Sequence, residues 1–230
     1  MMKIALLGYG RMGQAIEKIA IERGHKIVAK IDKDNPNESY KADVAINFSV
    51  PMAAYENISG AINKKIPVVC GTTGWLDRLN EVETLCQQKE CAFLYASNYS
   101  LGVNLFFEIN SKLADIMQKQ PLYTPSIEEI HHTHKLDKPS GTAITLAQGI
   151  PSEGNAWHLA EDNGQGVPIT SARKNEVPGT HTVTYRSEID EISITHTAHN
   201  RTGFALGAVL AAEWIKDKKG IFSMRDVLQL

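Results

Sequence analysis

The chain lacks most of what would mark a secreted, membrane-bound or nucleic-acid-binding protein. Its three cysteines, Cys70, Cys86 and Cys91, are an odd number without CxxC spacing, so neither a disulfide framework nor a zinc knuckle is expected, and a reducing compartment fits them best. Neither sign of charge prevails: 24 basic and 26 acidic residues leave a net charge of -2. That balance gives no general attraction for nucleic acid or an anionic bilayer, so an anionic ligand must be met by a local site. Long hydrophobic runs are missing too. The longest, Gly203 to Ile215, falls short of the roughly 20 residues that a membrane-crossing helix needs. No signal-peptide pattern precedes the strand-like KIALLG near the start, and no repeat or low-complexity tract is present. These absences predict a cytoplasmic protein with no nucleic-acid or membrane partner, its 230 residues enough for one large domain or two small ones.

What is present is alternation. Short apolar segments at Lys3–Leu7, Lys26–Ile31, Val44–Phe48, Pro67–Cys70 and Cys91–Tyr95 alternate with amphipathic ones, the pattern of βαβ units around a parallel sheet. Met12, Ile16, Ile19 and Ala20 share one face of the first helix, with Gly24 as its stop, and later helices start near Pro51 and Leu76. After Asn98 the rhythm changes to an amphipathic run from Asn104 to Gln118, a strand at Ser126–Ile130 and a helix from Gly141. Residues Pro151 to Val177, rich in Gly, Pro and polar residues, read as a surface excursion. Thr180–Arg186 and Glu191–Thr197 read as antiparallel strands, and Phe204–Lys216 as a hydrophobic helix.

Gly8-Tyr9-Gly10-Arg11-Met12-Gly13 is a complete GxGxxG between a predicted strand and a predicted helix, the context in which the motif binds dinucleotides. Asp32 ends the second strand about 20 residues later, where an acid accepts the ribose hydroxyls of NAD. Lys33 beside it suits a 2′-phosphate, which predicts use of both NADH and NADPH, although a solvated lysine in a charged turn explains it equally well. Arg11 is a candidate phosphate contact. Gly71-Thr72-Thr73-Gly74 and Ala96-Ser97-Asn98-Tyr99 follow the fourth and fifth strands at the edge where open α/β sheets bind ligands, and are expected to meet the nicotinamide and its ribose.

The densest chemistry is Glu129-Ile130-His131-His132-Thr133-His134-Lys135-Leu136-Asp137-Lys138-Pro139-Ser140-Gly141-Thr142. Histidines and a lysine supply proton donors, and the Ser-Gly-Thr helix start is an anion site. The three neighbouring histidines are too close together for one tetrahedral ion, so no metal is expected. His134, His158, His181, His196 and His199 read as surface or core residues.

With GTTG, NYSLGVN, HHTHKLDKPSGTA, VPGTHTV, ITHTAHNRTGFALGAV and MRDVLQL, the chain resembles the 4-hydroxy-tetrahydrodipicolinate (dihydrodipicolinate) reductase family nearly end to end. That resemblance implies an NAD(P)H-dependent oxidoreductase of the diaminopimelate route to lysine, acting on a cyclic dicarboxylate. It implies a Rossmann-type doubly wound parallel sheet formed by residues 1–100 with 203–230, and an inserted α+β substrate and oligomerisation domain at 101–202 that often builds a homotetramer. It assigns the general acid/base role to His131 and proton donation to Lys135, with the decisive proton open between the two, and a substrate carboxylate to His132, Gly141 and Thr142. Val50 stands where many relatives carry an arginine, which argues against strong NADPH preference. The segments after Asp32 and between Ile150 and Ser171 are short for the family, yet they lose no motif residue.

Two other readings are weaker. A semialdehyde dehydrogenase needs a nucleophilic cysteine, for which Cys70 has no obvious base. A dinucleotide sensor would have no use for His131 and Lys135.

Overall fold

The computed structural model describes residues 1–35, 39–152, 154, 156–200 and 202–230. Its elements are β1 (Lys3–Leu7), α1 (Arg11–Glu22), β2 (Lys26–Ile31), β3 (Val44–Asn47), α2 (Pro51–Asn63), β4 (Val68–Cys70), α3 (Leu79–Gln88), β5 (Ala92–Tyr95), α4 (Leu101–Met117), β6 (Thr124–His131), α5 (Gly141–Gln148), β7 (Trp157–Leu159), β8 (Val167–Arg173), β9 (Thr180–Arg186), β10 (Glu191–Thr197), α6 (Thr202–Ile215), β11 (Gly220–Phe222) and α7 (Met224–Leu228). The chain divides into two compact units, Met1–Leu101 with Thr202–Leu230, and Gly102–Arg201.

The first unit is a six-stranded sheet in the order β11-β5-β4-β3-β1-β2, and every adjacent pair is parallel. Strands covered on both faces are mostly apolar, and β3 and β4 are buried at every position, with Asn47 the one polar residue in them. Helix α1 turns Gly13, Ile16 and Ala20 inward, and α6 buries Ala205, Ala208, Val209, Ala212 and Ile215 in the same core. The strand order reverses across β1, with β2 on one side and β3 on the other, and such a switch point opens a crevice beyond the strands' carboxyl ends. Among the described residues no helix is long and apolar enough to cross a membrane.

The second unit is a five-stranded sheet in the order β10-β9-β6-β8-β7. Here one expectation is corrected. The stretch from Pro151 to Val177 is not a surface excursion: it contributes β7 and β8, with Val167 and Ile169 buried in the unit's core beside Phe106, Leu146 and Val183, although Glu153 and Asn155 lie outside the described residues. Strands β9 and β10 pair antiparallel, as their alternation predicts, within a sheet that is mixed: β8 runs parallel to both β6 and β7 while β9 opposes β6. Strand β11 and helix α7 are additions that the sequence pattern did not predict.

Candidate functional site

In the first unit the loops after β1 to β5 emerge at one edge because the strands are parallel. Gly8 has φ +96°, and a Cβ there would lie 2.4 Å from the Phe48 carbonyl oxygen, so only glycine lets the turns after β1 and β3 approach so closely. A Cβ on Gly13 would strike the Gly8 carbonyl oxygen at 2.4 Å. Gly10 differs: it caps α1 with no side-chain hydrogen bond, and nothing lies within 4 Å of where its Cβ would stand. Uncapped first-turn N–H groups beside open space suit a pyrophosphate. A cleft of about 320 Å³ runs past Gly8, Gly10, Asp32, Lys33, Ser49 and Val50. The residues therefore fit a dinucleotide.

Asp32 and Lys33 are exposed beyond β2. An Asn35 side chain accepts the Asp32 N–H at 2.8 Å, and the Asp32 carboxylate accepts that of Lys33 at 2.9 Å. Arg11 is exposed at the first position of α1, while Met12 packs half-buried against the core. The Tyr9 hydroxyl donates to Glu17, whose carboxylate also pairs with Lys30 at 2.7 Å. The Lys30 ammonium first, then the Tyr9 hydroxyl, hold that carboxyl below its usual range.

Gly71, Thr72 and Thr73 follow β4, and Ala96, Ser97, Asn98 and Tyr99 follow β5. Two of these side chains turn inward. Thr72 donates to the Ser49 carbonyl oxygen and accepts from Asn47, both at 3.2 Å, and Tyr99 donates to the Cys70 carbonyl oxygen at 2.8 Å. Their main chain alone remains for a nucleotide. Cys70 is buried, and burial pushes its thiol up to about 11, which removes it as a nucleophile.

The second unit gathers a charged cluster where β6, β8 and β9 lie side by side. The pleat turns alternate residues to one face. Ile127, Glu129 and His131 of β6 therefore share it with Ile169, Ser171 and Arg173 of β8 and His181 and Val183 of β9, as the pairing Glu129 with Ser171 and His181, and His131 with Arg173, shows. At one end that face is core; at the other it is chemistry. The Glu129 carboxylate accepts the Ser140 N–H at 3.1 Å to each oxygen, the Ser171 hydroxyl and Arg173 Nη1 at 3.3 Å. His131 Nδ1 lies 3.3 Å and His181 Nε2 3.7 Å from its Oε2. Burial works to raise the Glu129 carboxyl, yet the donors from His131, His181, Ser140 and Ser171 outweigh it and hold it far below the carboxylate range. His181 is shifted down by burial, against the pull of Glu129.

Ser140 opens α5: its hydroxyl accepts the Ala143 N–H at 3.1 Å and lies 3.1 Å from His181 Nε2. Gly141 and Thr142 are the first two helical residues, where N–H groups have no intrahelical acceptor. Lys135 Nζ sits 2.8 and 2.7 Å from the Asp137 oxygens, and Arg173 holds that loop through the Lys135 and Asp137 carbonyl oxygens at 3.4 and 2.6 Å. His132 is half-buried, its ring 6.2 Å from that of exposed His134.

His131, Lys135, Gly141 and Thr142 are thus brought together by residues that sequence reasoning missed: Glu129, Ser171, Arg173 and His181. The signal was available in the period of two, which turns an acid, a histidine and an arginine toward the face carrying Ile127, Ile169 and Val183. Glu129, His131 and His181 hold ligand-type atoms within 4.8 Å of one another, but the Arg173 guanidinium and the Ser140 N–H already take the carboxylate, and a cation would have to displace an arginine.

A family model described as dihydrodipicolinate reductase, N-terminus, matches residues 2–99, and one described as dihydrodipicolinate reductase, C-terminus, matches residues 102–228. A 4-hydroxy-tetrahydrodipicolinate reductase of Christiangramia forsetii is 58% identical over 233 residues, covering 99% of this chain and 98% of that protein. One from Methanoregula boonei is 32% identical across 100% of this chain and 99% of its own. A solved dipicolinate-bound dihydrodipicolinate reductase from Paenisporosarcina sp. TG-14 shares the fold with a TM-score of 0.77 at 22% identity, covering 98% of this chain and 99% of that one.

Proposed function

The chain belongs to the dihydrodipicolinate reductase family, and from that premise we propose how its residues carry out the reduction. It is a nicotinamide-dependent oxidoreductase that reduces 4-hydroxy-tetrahydrodipicolinate to tetrahydrodipicolinate in lysine and diaminopimelate biosynthesis. The nucleotide is read onto residues 1–100 with 203–230, held by Gly8, Tyr9, Gly10, Arg11, Met12 and Gly13, by Asp32 and Lys33, and by the main chain around Gly71–Thr73 and Ala96–Tyr99. NADH and NADPH both serve, and no resident metal is needed.

Bound reduced nicotinamide supplies a hydride to C4 of the substrate's conjugated C=C–C=N system. What the chain adds is a grip on a substrate carboxylate and a proton at C3. The first-turn N–H groups at Gly141 and Thr142, with His132, hold a carboxylate. His131 and Lys135 supply the proton to the electron-rich carbon left by hydride addition. In the hydroxylated substrate, loss of water precedes or accompanies that step. The observation supporting these roles is the convergence of His131, the Lys135 loop and the start of α5 on one buried carboxylate.

Replacing His131 or Lys135 by Ala should lower turnover by about 100-fold or more, the usual worth of a positioned proton donor, while nucleotide affinity measured by fluorescence titration stays within about threefold. Undiminished turnover in either purified variant would overturn the roles. We also read the protein as a cytoplasmic homotetramer joined through residues 101–202.

A further inference from the structure

An ionised carboxylate deep in a sheet is costly unless donors surround it. Glu129 is so surrounded, and the other ends of its donors matter. His131 is the proposed proton carrier; Ser140 caps the helix whose first turn is proposed to seat a substrate carboxylate; Arg173 binds the carbonyl oxygens of the loop carrying Lys135. We propose that Glu129 is a positioning residue for the reduction: one buried charge fixes the His131 ring, the first turn of α5 and, through Arg173, the Lys135 loop in a single arrangement. The inference rests on the roles proposed for His131 and Lys135.

A neutral side chain of the same volume would fill the space and could still accept the Ser140 N–H, but it would hold neither the imidazole nor the guanidinium by charge. The His131–His181 contact supports the same view. The two rings meet edge to face with centroids 5.0 Å apart, both against Glu129, and His181 passes the link to the Ser140 hydroxyl. The charged and titratable groups around His131 are Glu129 on its own strand, Arg173 from β8, His181 from β9, and Lys135 with Asp137 from the following loop.

The test is a double-mutant cycle on the full chain with Glu129→Gln and His131→Asn, following nucleotide oxidation in the presence of the cyclic substrate. Glu129→Gln should lower kcat by about 30-fold or more and leave nucleotide affinity unchanged. The double variant should fall short of the product of the two single losses by at least tenfold. A kcat within twofold of the parent, or losses that multiply, would overturn the proposal and leave Glu129 a structural ion. If Glu129→Gln does not fold by circular dichroism, the cycle is run with Glu129→Asp, which keeps the charge but withdraws it by one methylene, and the same non-additivity decides. Undiminished turnover of His131→Asn would instead strike the role of His131 itself.

Discussion

Lys135 is not idle in the structure: both oxygens of Asp137 hold its ammonium at 2.7–2.8 Å. Burial pushes the Asp137 carboxyl up, and the Lys135 bond overrides it, so the acid is held below its usual range. A substrate carboxylate must compete with Asp137 for that ammonium. The pair is largely exposed on the acid's side, so its worth is small. Asp137→Asn should lower the KM for the dicarboxylate by a fewfold, and a raised KM in steady-state assays would contradict the competition. At the other unit, Val50 is 62% exposed and lines the cleft with Lys33, so a 2′-phosphate would meet one cation there rather than two. Val50→Arg should shift the kcat/KM ratio toward NADPH by about tenfold, the scale of one charge-assisted hydrogen bond; an unchanged ratio would remove Val50 as a determinant. The glycine motif, Asp32 and the histidine-lysine loop were legible residue by residue because each carries its chemistry in one short run. Glu129, Ser171, Arg173 and His181 come from three strands far apart in sequence, and each alone reads as an ordinary polar strand residue.

At the scale of elements, β1 to β5 of the first sheet were legible nearly to the residue, because β1, β3, β4 and β5 are apolar but for Lys3 and Asn47 at strand ends and are punctuated by Gly and Pro. Strand β8 was not, and the reason is functional: its inward positions begin with Val167 and Ile169 but continue with Ser171 and Arg173, so the apolar alternation stops where the charged cluster begins. Strand β11 and helix α7, three and five residues long, are too short to show a period. Helix α5 stands on its cap. Ser140→Ala should cost about 1 kcal/mol in denaturant unfolding, as loss of an N-cap hydroxyl does, and should raise the KM for substrate more than that for nucleotide. A variant as stable as its parent would show that the hydroxyl serves His181 rather than the helix.

For the whole molecule, the proposed tetramer would join through the outward face of the second sheet. Thr182 with Thr195 and Thr184 with Ser193 pair across β9 and β10 at 3.0 and 2.9 Å, beside an open cavity of about 400 Å³ lined by Ser126, Pro168 and Thr170 with the charged Glu128 and Arg186. Light scattering should give a tetramer, and Thr182→Arg a smaller species. Stability against pH follows from the buried groups. His181 is shifted down, so the unfolded chain takes up its proton first and stability falls as pH drops below about 6.5. Glu129 has the same sign further down: its contribution is complete above about 4.3 and is lost as pH falls through its lowered range. The Tm should therefore decline from pH 7 to 5, and His181→Gln should flatten that decline more than His134→Gln, which alters an exposed ring. Equal slopes in both variants would contradict it. The central claim, a dicarboxylate reductase that accepts either nucleotide, is tested most directly by making the cyclic intermediate in situ with its upstream synthase and following absorbance at constant enzyme. Oxidation of both NADH and NADPH is expected, with kcat/KM values within about 100-fold of each other; no oxidation of either, or a preference of several hundred-fold, would overturn that reading.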